Sequence, residues 1–334
     1  MPGFAVVVVT HNSAAQLESL SASLAGEIGD GDELVIVDNA TADGTAQRAR
    51  ALGLRVIASG GNLGFAAACR LGVEATRAPL VFLLNPDARV APGAMELLRA
   101  AAAAQPGWAA WQPVVLLPDG RVNTAGGVVH FLGIGWAGRC GEDAATLPRA
   151  PYETAFASGA ALVVRREAWL QMGGLRDEYF LYGEDLDLGL RLWLAGHRVG
   201  VEPRARVHHD YQFDRGAQKW FLLERNRWRT VIATYPPALL VAVAPALLVA
   251  EIGLLVVAAR GGWLHEKLRA QWATIAWLPA AAARRRAVQR TRRVGTAQFA
   301  AALDGRLDNP FLPLPRALDA AVASYWRVAR ALLR

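Results

Sequence analysis

FAVVVVTHN, residues 4–12, decides the fold. Its first six residues form an unbroken apolar run rich in β-branched valine, which marks a strand buried on both faces. Such strands belong to parallel sheets, and parallel neighbours need a crossover helix between them. LVIV at 34–37, LRVIA at 54–58 and LVFLL at 80–84 repeat the short apolar run. The segments 14–24, 44–52 and 63–76 lie between the runs and have helical length and composition. This alternation predicts βαβ units and a doubly wound α/β sheet. Ligands of such sheets bind beyond the carboxyl ends of the strands. Three groups of residues follow the runs directly: Thr10-His11-Asn12, Asp38-Asn39 and Asn85-Pro86-Asp87.

Over 108–151 the pattern loosens into glycine-rich turns and a short hairpin. Helical periodicity returns over 166–172, 184–195 and 219–235. Residues 238–259 form an apolar stretch whose only charge is Glu251.

The chain has 334 residues, 53% of them hydrophobic, which excludes intrinsic disorder and allows two compact units. Two cysteines, Cys69 and Cys140, exclude a disulfide scaffold and any cysteine-only zinc site. The strand opening at Phe4 has no basic segment before it, so a cytoplasmic front is expected. The net charge of +7 is unevenly distributed. From Arg260 onward there are 14 Lys+Arg and 4 Asp+Glu, whereas the preceding 259 residues hold 22 and 25. A near-neutral body with a basic tail suits either nucleic acid or an anionic membrane surface as partner.

Several groups could carry chemistry. Asp87, displayed just past a strand, could hold a divalent cation bridging diphosphate oxygens, although Asn-Pro-Asp also makes a turn. Asp38 could accept a hydrogen bond from a base or ribose, or cap the next helix. Gly60-Gly61-Asn62-Leu63-Gly64 opens a helix and suits close approach to an anion, yet it is neither a dinucleotide fingerprint nor a P-loop. Glu184, Asp185 and Asp187 crowd one helix start; such carboxylates fit the helix dipole, and one held in a cleft can act as a general base. An imidazole from His208 or His209 would complete the ligands of a metal at Asp87. Arg225 and Arg227, with Trp220 and Trp228, could meet phosphate or sugar, or form a solvated helix beside a membrane.

As a set, these residues resemble the inverting family 2 glycosyltransferases, in particular the bacterial rhamnosyltransferase-like branch. The stretches that carry the resemblance run in family order: VVVVTHN at 6–12, VIVDNAT at 35–41, GGNLGFAAA at 60–68 and FLLNPDA at 82–88. ASGAALVVRREAW at 157–169, YFLYGEDLDLGLRLWLAGHRV at 179–199, VHHDYQFDRG at 207–216 and LLERNRW at 222–228 continue it. The resemblance implies a GT-A fold, with 1–125 as the nucleotide-sugar half, 126–235 as the acceptor and catalytic half, and 236–334 as a helical, membrane-associated basic tail. It also implies a dTDP- or UDP-sugar donor, with dTDP-rhamnose expected, a Mg²⁺ or Mn²⁺ cofactor, and a lipid-linked glycan acceptor of the cell envelope. Position by position, Thr10, Asn12, Asp38, Asn39, Asn62, Gly64 and Asn85 would contact the donor. Asp87 and His209 would hold the metal, Asp185 would be the base, and Glu184 and Arg225 would face acceptor or phosphate. Asn85 stands where relatives carry the first aspartate of an Asp-x-Asp, which leaves one charge fewer on the metal. Arg176 stands where many relatives have aspartate.

The stretch 238–259 has the length of a membrane span, but Glu251 and the basic residues on both flanks disfavour a simple crossing. A re-entrant or interfacial hairpin on the cytoplasmic face is expected, with 271–283 as a short second arm; a buried helix pair is the other possibility. A processive polysaccharide synthase of the same fold is the runner-up, although Glu224 stands where its Gln-x-x-Arg-Trp motif begins and several clear spans are absent. A non-catalytic nucleotide-sugar binder would lack Asp185. Nucleic acid is not expected as a partner, because the tail's aromatics sit apart from its arginines.

Overall fold

The computed structural model describes residues 2–210, 216–309 and 315–333; of the stretch 207–216, residues 211–215 lie outside them. The chain divides into two compact units.

The first unit comprises residues 1–127, 137–192 and 197–212. In chain order its elements begin β1 (Phe4–Thr10), α1 (Leu17–Leu24), β2 (Glu33–Asp38), α2 (Thr45–Ala51), β3 (Arg55–Ala58), α3 (Gly64–Glu74) and β4 (Leu80–Leu84). All seven coincide with the predicted runs to within a few residues. They continue as β5 (Ala88–Val90), α4 (Ala94–Ala104), β6 (Trp108–Leu116), β7 (Val122–Thr124), β8 and β9 (Gly127–Val129, Gly135–Ala137; a small ribbon whose residues 128–136 belong to the second unit), β10 (Tyr152–Glu153), β11 (Ala161–Arg165), α5 (Arg166–Met172), α6 (Glu184–Leu194) and β12 (Arg198–His209).

One ten-stranded sheet has the order β10-β12-β6-β11-β4-β1-β2-β3, with β5 added to β12 and β7 to β6. β4, β1, β2 and β3 are parallel, β6 and β12 are parallel to each other, and β11 runs against both β4 and β6. Six of the seven long strands therefore point one way, giving a mostly parallel sheet flanked by helices. Val6, Val8, Ile36 and Phe82 pack with Leu17, Leu20, Leu98 and Trp111 in the main core, each contributing about 1.5–3 kcal/mol of apolar burial. Gly72 lies inside α3 because a Cβ there would stand 2.3 Å from Val7 Cγ1, so only glycine lets this helix sit so close to the sheet.

Two strands depart from the expected pattern. β6 spans nine buried residues where turns were expected. Gln112 and Pro113 interrupt its apolar run, but Gln112 satisfies its amide by donating to Pro113 O and accepting from Ser158 N, so it can stay buried in the sheet. β12 absorbs Pro203 in a bulge between Glu202 and Arg206.

The second unit comprises residues 128–136, 193–196 and 213–334. It contains α7 (Ala217–Thr234), α8 (Pro237–Arg260), α9 (Leu264–Arg290), α10 (Thr296–Ala300) and α11 (Arg316–Ala331). The expected short arm at 271–283 is part of the 27-residue α9, which runs through Pro279 and takes in Arg284, Arg285, Arg286 and Arg290. Some of those arginines serve the fold. Arg285 donates to Ile232 O and Tyr235 O at 2.6 and 2.8 Å, satisfying carbonyls at the end of α7. Phe131 stacks on Trp326 of α11, with ring centroids 4.9 Å apart.

Candidate active site

Because β1, β2, β4 and β12 point the same way, their carboxyl ends share one edge of the sheet. The residues singled out after each strand meet there.

Two groups form. In the first, Asn39 donates its amide to Asn62 Oδ1 at 3.1 Å and accepts from Leu63 N at 2.8 Å. Asn62 Oδ1 also accepts from Gly64 N, so the two asparagines shape the loop that opens α3. Thr10 is buried and donates to Val37 O; Asp38 Oδ1 accepts from Thr41 N; Asn12, with a left-handed φ of 55°, accepts from Ala42 N. Gly64 has φ +78°, and a Cβ there would lie 2.5 Å from the Phe180 carbonyl oxygen, so glycine is required twice over.

In the second group, Asp87 Oδ1 lies 3.1 Å and Asn85 Nδ2 3.2 Å from His209 Nε2. The other ring nitrogen, Nδ1, faces Asn123 Oδ1 at 3.4 Å. Asn123 Oδ1 can only accept and Asn85 Nδ2 can only donate, which favours the proton on Nδ1 with Nε2 accepting from Asn85; the Nε2 lone pair and the Asp87 carboxylate then suit a shared cation rather than a direct hydrogen bond. Alternation along β12 directs His209, not His208, to this group. Among the described residues no cluster of three or more His, Cys, Asp or Glu side chains could hold a metal. Asp87 and His209 offer two suitable donors on one centre, which fits a cation that takes its remaining ligands from diphosphate and water.

The α6 start separates its three carboxylates. Asp187 forms a fully buried pair with Arg191, Oδ2 to Nε 2.7 Å, and serves packing. Glu184 points inward, 4% exposed, and its Oε2 has no hydrogen-bond partner among the described residues. Burial, and then the charge of Asp185, push the Glu184 carboxyl above its ordinary range. Asp185 is half-buried; Oδ2 accepts from Gly159 N at 2.9 Å and Oδ1 from Leu186 N at 2.8 Å. Burial raises its pKa as well, opposed by those two N–H groups. The loop before α6 holds Phe180 and Tyr182 at φ 64° and 66°, a strained backbone of the kind that collects at functional sites. Arg70 of α3 grips Asp177 with two nitrogens at 2.6 and 3.2 Å, tying this loop to the helix that begins at Gly64.

Arg225 belongs to the second unit, where Nε donates to Asn226 Oδ1 and the guanidinium lies over Phe221. Two participants escaped the sequence. Asn123 sits in the strand β7, within a segment without periodicity, and Gly159 acts through its backbone N–H, which no side-chain motif advertises.

The raised Glu184 carboxyl has a consequence for stability. A folded-state pKa above the unfolded value means stability is complete below the ordinary carboxylate range and is lost as pH rises through the folded value. Glu184→Gln is therefore expected to stabilise the fold more at pH 9 than at pH 5, as measured by thermal unfolding at both pH values. An equal shift at both would count against a strained Glu184.

Residues 5–124 match the family model described as glycosyl transferase family 2, and residues 80–285 match that of glycosyl transferase family group 2. The N-acetylglucosaminyl-diphospho-decaprenol L-rhamnosyltransferase of Mycobacterium tuberculosis is 33% identical over 240 residues, covering 61% of this chain and 75% of the relative. The O-antigen biosynthesis protein RfbC of Myxococcus xanthus is 30% identical over 133 residues, 36% of this chain and 10% of the relative. In fold, the chain resembles GalNAc-T7 solved with UDP, GalNAc and Mn²⁺ (TM-score 0.60, 15% identity, 72% of this chain and 50% of that one). It also resembles the mannosyltransferase PcManGT of Pyrobaculum calidifontis solved with GDP-Man and Mn²⁺ (TM-score 0.52, 17% identity, 99% and 86%).

Proposed function

Since this chain belongs to glycosyl transferase family 2 and has a GT-A fold, we propose that it moves rhamnose from dTDP-rhamnose to a hydroxyl of a lipid-linked glycan, with inversion at the anomeric carbon. The observation that carries this reading is the pairing of Asp87 with His209 on the same sheet edge as the Asn39–Asn62 loop. The substrate named for the mycobacterial relative supports the lipid-linked acceptor and a role in cell-envelope polysaccharide synthesis.

In this reading residues 1–125 bind the donor and 126–235 the acceptor. Thr10, Asn12, Asp38 and Asn39 meet the nucleoside, and Asn62, Gly64 and Asn85 meet the diphosphate. Asp87 and His209 would hold Mg²⁺ or Mn²⁺. That cation, when bound, supplies charge neutralisation to the departing diphosphate. Asp185 takes the proton from the acceptor hydroxyl. The acceptor oxygen then attacks the anomeric carbon from the face opposite the nucleotide, and the bond to the diphosphate breaks. Gly159 and Leu186 each occupy one lone pair of the Asp185 carboxylate, so both oxygens keep another for the incoming hydroxyl. Arg225 serves acceptor or phosphate; Glu184, expected to share that role, is turned inward and buried and is not placed to meet either. The enzyme works at the cytoplasmic face of the membrane that carries the acceptor, attached through 236–334.

Incubation with dTDP-rhamnose and a polyprenyl-diphosphate-linked N-acetylglucosamine tests the whole reading. A rhamnosylated product of inverted anomeric configuration is expected. Transfer from UDP-sugars alone, or retention of configuration, would overturn the donor or the mechanism respectively.

Two further outcomes follow. Asn123→Ala removes the acceptor that fixes the His209 tautomer, so Mn²⁺ affinity in the presence of dTDP should fall about 10- to 100-fold. Manganese titration followed by paramagnetic resonance measures this; an unchanged affinity removes Asn123 from the site. Because Asp185 must be unprotonated and its pKa is raised by burial, the rate should fall as pH drops, with the acid limb above the ordinary aspartate value near 4. A kcat profile from pH 4 to 9 locates that limb.

A further inference from the structure

We infer that α8 and α9 dock flat into one leaflet of an anionic bilayer, entering it without crossing. Of the fifteen large hydrophobic residues that are exposed among the described residues, ten lie on these two helices.

α8 is the one described helix long and apolar enough to cross a membrane, about 36 Å for 24 residues against a hydrocarbon core of about 30 Å. Its two faces nevertheless differ. Leu239, Val243, Leu247, Leu254 and Ala258 recur at helical spacing and are buried. The opposite stripe carries Leu248, Val249, Ile252 and Val256, with Val249 69% exposed. A helix packed on protein along one side and apolar along the other fits an interface, where only one side meets lipid.

Glu251 is the charge that a bilayer would reject, and the fold disposes of it. Arg227 and Glu224 of α7 and Lys267 of α9 close a four-membered charge cluster around it. Lys267, with no exposed surface, contacts both carboxylates, at 2.8 Å to Glu251. Arg227 also pairs with both, lying 3.2 Å from Glu224, and donates to Leu132 O. Two carboxylates against two cations leave no net charge at the face. A crossing by the α8–α9 hairpin would carry Glu251 away from Arg227 unless α7, with Arg227 and Glu224, followed it into the bilayer.

The basic residues give the orientation. Arg260 ends α8 and Arg269 lies in the second turn of α9, both exposed and near the turn that joins the helices. At the other end of α9, exposed Arg286 and Arg290 follow at helical spacing from Leu268, Trp272 and Ile275 on one stripe. A crossing hairpin would send Arg260 and Arg269 to the far side, against the positive-inside rule. Lying flat, the hairpin sets all four at headgroup level of one leaflet. The inference rests on the proposed function only for the lipid-linked acceptor.

Flotation of the full chain with vesicles tests it. The chain should float with phosphatidylcholine vesicles containing phosphatidylglycerol and more weakly with phosphatidylcholine alone. Val249→Asp with Ile252→Asp should abolish flotation and leave transfer to a short-chain, soluble acceptor intact. Arg286→Gln and Arg290→Gln should each weaken anionic binding about fivefold. In a Cys140→Ser background, Ala238→Cys and Ala259→Cys should both react with an impermeant maleimide added outside the vesicles. Flotation that survives the double aspartate variant overturns the inference. So does protection of one cysteine, which reports a span, or a dimer that the aspartates dissociate, which reports a second copy as occupant. Asp185→Asn should float like the parent, so a failure of docking and a failure of the catalytic reading are separable.

Discussion

Asp185→Asn is expected to lower sugar transfer by about 10²–10⁴-fold or more while nucleotide-sugar binding stays within about twofold. The substitution is nearly isosteric, and an asparagine amide oxygen can still accept from Gly159 N. What it removes is the capacity to take a proton. Without that, the acceptor hydroxyl must attack as a neutral nucleophile. Steady-state rates together with donor titration by calorimetry separate the two effects. A variant retaining a tenth or more of the parental rate would remove Asp185 from the role of base. Loss of donor binding instead would make it a structural residue of the loop that contacts Gly64.

Lys267→Met should destabilise the second unit by about 3–5 kcal/mol. Lys267 is fully buried between Glu224 and Glu251, and its removal leaves two carboxylates to share Arg227. Burying such an excess of like charge costs more than the lysine's own hydrophobic replacement returns. Adding Glu251→Gln restores charge balance and should recover much of the loss. Denaturant unfolding in detergent of the parent, the single variant and the double variant provides the measurement. A loss under about 1 kcal/mol would show the cluster to be solvated in solution.

The first four strands and their crossover helices were legible because a strand buried on both faces has to be apolar without alternation, and Phe4–Thr10 and Leu80–Leu84 are. β6 and β12 were not. Gln112, Pro113 and Pro203 break the pattern, and what lets them stay in the sheet is a partner elsewhere: Ser158 for Gln112, and a bulge for Pro203. The three carboxylates of α6 illustrate the same limit. Their spacing marks a helix start, but what distinguishes them is tertiary: the carbonyls of Met172 and Gly174 that hold Arg191 against Asp187, the Gly159 N–H on Asp185, and the burial of Glu184.

By itself, the sequence determined the alternation of strands and helices, the edge on which Thr10, Asp38 and Asp87 stand, and the apolar character of 238–259. These properties are local, since period and composition act within a few residues. Tertiary structure decided how near His209 lies to Asp87, that Asn123 faces its other ring nitrogen, and that Glu251 is neutralised rather than exposed. Each depends on contacts between residues from 16 to 122 positions apart. Periodicity has no term for such contacts, because burial and electrostatic pairing are set by where the chain returns.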